Sequence, residues 1–236
     1  MSLWLPGSTV AFIGTRELDA VALTLRHLFI SAATYAGAHD VLVATGAAEG
    51  ADQAAATAAL RAGGRIRLVL PWANYESAWV TLAQKTFRDR VEVVVYTPAQ
   101  HKEWLESVLT HHPAANRLSR GALMLHARNY GIVAGAAAVI ALPQSASPDH
   151  LGGTGQGIRV ATHLGIPVVN LQVAVDQWAL LDRIRLSAAP VVGPTPAHLV
   201  RDLEAFVDGV SRGDLAVEQL PLELRRKLAA LFSRDQ

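Results

Sequence analysis

Six short apolar runs alternate with helical patterns along the first 171 residues, and this alternation limits the architectures open to the chain. Ser8 to Ile13 reads as a buried strand, followed by Gly14-Thr15-Arg16 and then by Leu18, Val21, Leu25, Leu28, Ala32 and Tyr35 at helical spacing. Asp40 to Thr45 is a second strand, running through Gly46 to Asp52 into an Ala-rich helix that Gly63-Gly64 stops. Arg65 to Leu70 and Val91 to Tyr96 are the third and fourth strands, with a helix over Tyr75 to Arg90 between them. An amphipathic pattern over Ala99 to Leu109, an irregular basic segment over Thr110 to Arg120 and a helix over Leu123 to Val133 lead to strands at Ala136 to Leu142 and Ile166 to Leu171. Such a chain predicts an α/β fold: a doubly wound, mostly parallel, Rossmann-like sheet with helices on both faces.

Parallel strands joined by right-handed crossovers put all their C-terminal ends on one edge. The turns after strands one, two and five then converge on one crevice. Gly14, Thr15 and Arg16, the Gly46 to Asp52 loop with Gly50, and Gly152, Gly153, Thr154 and Gly155 are the candidate lining. Glycine lets backbone approach a ligand, and a helix beginning behind it offers unpaired N–H groups and a positive dipole end. The ligand those features suit is a phosphate. Glycine-rich turns also serve packing alone, and that alternative stays open from the sequence.

Arg16 is a candidate for paired hydrogen bonds to phosphate, and Thr154 for capping the last helix or binding the anion. Glu49 and Asp52 are the local carboxylates suited to general-base work or to a ribose hydroxyl, with Asp52 also placed to favour a helix N-terminus. Trp72 and Tyr75 offer aromatic faces near the same edge. The nine histidines include adjacent His111 and His112, but no third ligand stands at metal spacing, so no metal is expected. Those two, with Arg117 and Arg120, form a short basic run expected to be a solvated face.

Composition narrows the class further. Charged residues make up 17% and the net charge is +1, which excludes a globally basic nucleic-acid binder. No cysteine is present, so disulfides, thiolate catalysis and Cys-ligated zinc are excluded. No apolar stretch approaches a membrane span and the first residues lack a signal-peptide pattern, so a cytoplasmic protein with no membrane partner is expected. Residues 1–186 are expected to form the nucleotide-binding domain. Residues 187–236 are expected to be a linker and a helical appendage, carrying an amphipathic Ala197 to Val210 and a stripe of Leu220, Leu224, Leu228, Leu231 and Phe232 behind Pro221. That stripe needs cover, on the parent domain or on a partner chain, and a homo-oligomer is expected.

The ordered landmarks GTR, GAAEGAD, Pro71-Trp72, Ala127-Arg128-Asn129 and GGTGQGIRVA followed by Gly165-Ile166-Pro167-Val168 resemble the SLOG superfamily, over about residues 8 to 172. The similarity is greatest to its YpsA-like and DprA-like branches. The resemblance implies a Rossmann-like fold whose loops hold a nucleotide or nucleotide-derived ligand, with Arg128 and Asn129 in the site and no required cofactor. It also implies two alternatives, single-stranded DNA binding as in the DprA branch and N-glycosidic hydrolysis of nucleoside monophosphates as in the LOG branch. This chain departs from LOG enzymes where their catalytic glutamate follows the Gly-Gly turn, having Gly157 in one register and Arg159 in another. A hydrolase would therefore rely on Glu49 or Asp52. No winged-helix-like second domain is legible after residue 172. The leading expectation is a sensor or binding protein for a nucleoside phosphate, ADP-ribose or NAD type of ligand.

Overall fold

A computed structural model describes residues 5–145 and 152–187. Six strands form one all-parallel sheet in the order β4-β3-β2-β1-β5-β6. They are β1 (Thr9–Gly14), β2 (Leu42–Thr45), β3 (Ile66–Leu70), β4 (Val91–Val95), β5 (Ala138–Leu142) and β6 (Val168–Asn170). The helices are α1 (Leu23–Ala38), α2 (Ala51–Arg61), α3 (Ser77–Phe87), α4 (Lys102–His111), α5 (Arg120–Val133), α6 (Gly153–His163) and α7 (Ala174–Ser187). The expected fold class is the observed one.

Covering both faces of a parallel sheet demands strands without polar alternation, and β5 is buried at every position. One core packs α1, α2 and α7 on one face, with Phe12 meeting Phe29 edge-on at 5.4 Å. The other core packs α4, α5 and α6 on the opposite face around Ile13, Val139 and Ala141. Strand order reverses between β1 and β5, whose register pairs Val10 with Ala138 and Gly14 with Leu142. Here lies the topological switch point, where neighbouring crossovers diverge and leave a crevice at the strands' carboxyl ends.

Reaching that position from β4 means crossing β3, β2 and β1, and this long connection is why two helices and an irregular segment separate β4 from β5. The side chain of Ser119 starts the second of them, accepting the Ala122 N–H at 3.3 Å. On the other face α1 and α2 touch backbone to backbone, since a Cβ on Gly37 would lie 2.4 Å from the Ala59 carbonyl oxygen.

Several boundaries differ from the sequence expectation. Leu18 belongs to a separate 3-10 turn, Leu18–Ala20, and α1 starts only at Leu23. Gly153, Gly155 and Gly157 lie inside α6 rather than in a loop before it. Tertiary packing explains this: a Cβ on Gly157 would come within 2.6 Å of Ile13 Cδ1, so glycine lets α6 sit directly on β1. The predicted linker and the two amphipathic patterns after it lie outside the described residues. No helix among the described residues is long and apolar enough to cross a membrane.

Candidate functional site

The carboxyl ends of β1 and β5 open into a crevice of about 340 Å³. Its walls come from four places. Ile13 to Arg16 are the end of β1 and the turn after it, residues Leu125, His126, Arg128 and Asn129 come from α5, Gly152 to Thr154 begin α6, and Asp52 reaches in from α2. Gly14, Thr15, Arg16, Asp52, Arg128, Asn129, Gly152, Gly153 and Thr154 are thus brought together. Four other candidates stand apart from this lining. Glu49 is exposed, Gly155 is buried inside α6, and Gly46 and Gly50 serve the surrounding frame.

Gly46 has a definite steric task. Arg128 crosses over it so closely that an added Cβ would fall 1.8 Å from one guanidinium nitrogen and 2.3 Å from Asp52 Oδ2. Gly50, with φ of +91°, bends the chain where a Cβ would meet the Arg16 carbonyl oxygen at 2.4 Å. Both glycines therefore shape the site from behind.

Arg128 and Asp52 are both buried and form an ion pair. Both terminal guanidinium N–H groups of Arg128 donate to the same Asp52 oxygen, each at 3.2 Å, while the Nε has no partner. Charge-assisted bonds run nearer 2.7–2.9 Å, so this pair is held loosely. Burial raises the Asp52 carboxyl above its ordinary value, and the neighbouring Arg128 opposes that rise without cancelling it. Next to the pair, Arg16 donates to the Tyr75 hydroxyl at 2.9 Å and is otherwise exposed. Tyr75 is itself buried, edge-on to Trp72 at 5.2 Å, which makes it an anchor for Arg16.

Helix α6 points its first turn into the crevice, and Gly152 at its N-cap has no side chain with which to satisfy the leading N–H groups. Asn129 Nδ2 donates to the Gly153 carbonyl at 3.0 Å and fixes that turn against α5. Asn129 thus acts on the chain. The positions where a LOG-type glutamate would stand do not reach the crevice: Gly157 packs on Ile13, and Arg159 donates to Gln156 Oε1 at 3.2 and 3.3 Å.

His126 and Leu125 are lining residues that the sequence reading did not single out. Their signal was helical spacing, since His126 precedes Asn129 by three positions and Leu125 precedes Arg128 by three. Burial, then His112, Arg159 and Arg128, lower the His126 imidazole to about 4, so it is neutral near pH 7. Its Nδ1 is buried without a partner. His112, expected on a solvated face, is instead buried against His126 at 4.5 Å, while His111 packs on His163 at 4.2 Å. The end of α4 turns the two neighbours toward different helices, His111 toward α6 and His112 toward α5. Among the described residues no three His, Asp or Glu side chains gather as a metal-binding set.

Because the folded value of His126 lies below its ordinary 6.5, the unfolded chain binds a proton that the native chain lacks between about pH 6.5 and 4. Native stability should fall through that window as pH drops. The raised Asp52 carboxyl works in the opposite direction, so the informative quantity is a difference. Urea midpoints of wild type and His126→Gln should diverge from pH 7 to 4.5, with the variant losing less; parallel curves would remove His126 from the account.

Fold and crevice together define an all-parallel, Rossmann-like α/β protein with a cation-lined cleft at its switch point. No known family model matches the chain, and no curated protein matches it.

Proposed function

We propose that this protein binds a phosphate-bearing, nucleotide-derived ligand in the switch-point crevice, acting as a binding or sensor protein. The observation that carries this reading is the convergence of the α6 N-terminus, whose Gly152 N-cap has no side chain, Arg16 and the buried, incompletely bonded Arg128 on one cleft. Helix N–H groups and the dipole favour an anion, and two guanidinium groups supply compensating charge. At about 340 Å³ the crevice lies at the low end of small-molecule sites. That size favours a nucleoside monophosphate over ADP-ribose or NAD.

Support for hydrolysis is weaker. Asp52 is the carboxylate that lines the crevice among the described residues, and Arg128 already engages it. Glu49, the other candidate, is exposed and outside the lining. Single-strand binding would need a tract of cationic and aromatic groups extending beyond this cleft.

A thermal-shift panel with AMP, GMP, ADP-ribose, NAD and a short single-stranded oligonucleotide tests the proposal. Ligand at about 100 times its Kd should add about 2.7 kcal/mol, a rise of several degrees for a chain of this length. A monophosphate should give the largest shift. Arg16→Ala should weaken its binding about tenfold, equivalent to about 1.4 kcal/mol, with a loss of fold stability of no more than about 1 kcal/mol. A response to the oligonucleotide alone, or to nothing, would refute it.

A further inference from the structure

The Asp52 and Arg128 pair sits where the arriving phosphate needs a cation, so the charge balance of the cleft constrains which phosphate it accepts. We propose that the crevice selects a terminal phosphate monoester, whose dianion takes Arg128 from the Asp52 carboxylate and leaves Asp52 to acquire a proton from solvent. The inference rests on the phosphate reading of the crevice and adds the ester class and the proton stoichiometry.

Three geometric facts support the exchange. Arg128 gives both terminal nitrogens to one carboxylate oxygen at 3.2 Å, an arrangement longer than the usual charge-assisted bond. Its Nε is buried and has no partner, so the pair leaves the guanidinium incompletely bonded. Both residues line the same crevice as the first turn of α6, so the competing anion arrives beside the pair.

The charges set the proton count. Arg16 and Arg128 contribute two positive charges, and the α6 terminus acts as about half a charge more. With Asp52 ionised the cleft carries about +1.5, and a monoanionic diester leaves about +0.5 without disturbing the pair. A dianionic monoester leaves about −0.5, and one proton at Asp52 returns the cleft to about +0.5; its second negative charge is what lets the monoester compete with Asp52 for Arg128. The groups facing Asp52 are Arg128 from α5, Arg16 after β1, Tyr75 before α3 and the Ala48 backbone, and His126 of α5 lines the same crevice beside Arg128. Burial holds Tyr75 above its ordinary 10.0, which leaves Asp52 and His126 as the groups able to take up the proton, and Asp52→Asn separates them.

The sign of the linkage is fixed. Binding raises the Asp52 value, so affinity is greatest at low pH and is lost as pH rises through the ligand-bound value. Above pH 7 the monoester stays a dianion, because its second ionisation lies near pH 6. Any remaining slope then belongs to the protein.

Methyl phosphate and dimethyl phosphate isolate the ester class from any base preference, and crevice amides in NMR titrations of the full chain report their binding. Methyl phosphate should bind at least about tenfold more tightly than dimethyl phosphate at pH 7. Its affinity should fall between pH 7 and 8.5, by up to about tenfold per unit. Asp52→Asn should bind methyl phosphate more tightly than wild type at pH 8.5 and with no pH slope. Equal binding of the two esters, or the same slope in wild type and variant, would overturn the exchange while leaving the phosphate site standing. Should Asp52→Asn fail to fold, the wild-type ester ratio and slope decide alone. No crevice response to either ester would remove the phosphate reading and this inference together.

Discussion

Arg128→Met should destabilise the protein by about 3–5 kcal/mol at neutral pH, the cost of leaving one member of a buried ion pair without its partner. Asp52 is 5% exposed and Arg128 6%, so neither charge has water to fall back on. The loss would appear as a lower urea midpoint with an unchanged m-value. Two further results follow from the same cause. Adding Asp52→Asn to Arg128→Met should recover at least half of the loss, because the stranded charge is gone. The single variant's deficit should also shrink as pH falls through the Asp52 value, since protonation neutralises the buried carboxyl. If the double variant were no more stable than the single one, Arg128 would be holding the fold by packing and not by charge.

Gly37→Ala should be nearly as damaging for a reason confined to the other face of the sheet. The new Cβ would meet the Ala59 carbonyl oxygen at 2.4 Å and its Cα at 2.8 Å, and neither is a side chain that can rotate away. Helices α1 and α2 would have to separate along their whole crossing, where Gly64 also abuts Gly37. A loss of about 3 kcal/mol is expected, the upper part of the range for overpacked cores. Gly121→Ala is the matched control. Nothing lies within 4 Å of its added Cβ, so the same chemical change in α5 should be neutral or should stabilise by about 0.5 kcal/mol. Equal effects at both positions would mean that α1 and α2 do not pack as closely as described.

The sheet was legible because burial on both faces leaves its mark on every strand. Val139-Ile140-Ala141-Leu142 has no polar alternation, and neither does the centre of β1, Val10-Ala11-Phe12-Ile13. Strand order was less accessible. It depends on where the long connection through α4 and α5 lands, and the local pattern of those residues contains nothing about β1. The glycines illustrate a different limit. From sequence, Gly14, Gly46, Gly50, Gly153 and Gly155 are equivalent markers of a backbone that approaches something, and only coordinates distinguish a ligand-facing position from packing against Arg128, Arg16 or a helix turn. Arg128 and Asp52 were both visible as candidates, but 76 residues separate them, and no periodicity links residues across that distance. His126 was passed over because its meaning comes from His112 and the crevice, and those contacts form only on folding.

A crystal structure of the full chain grown with AMP tests the central claim most directly. The phosphate should lie between the β1 and β5 ends, within hydrogen-bonding distance of the Gly153 and Thr154 N–H groups and of the Arg16 and Arg128 guanidinium groups. AMP bound at another surface, with the crevice holding only water, would contradict it.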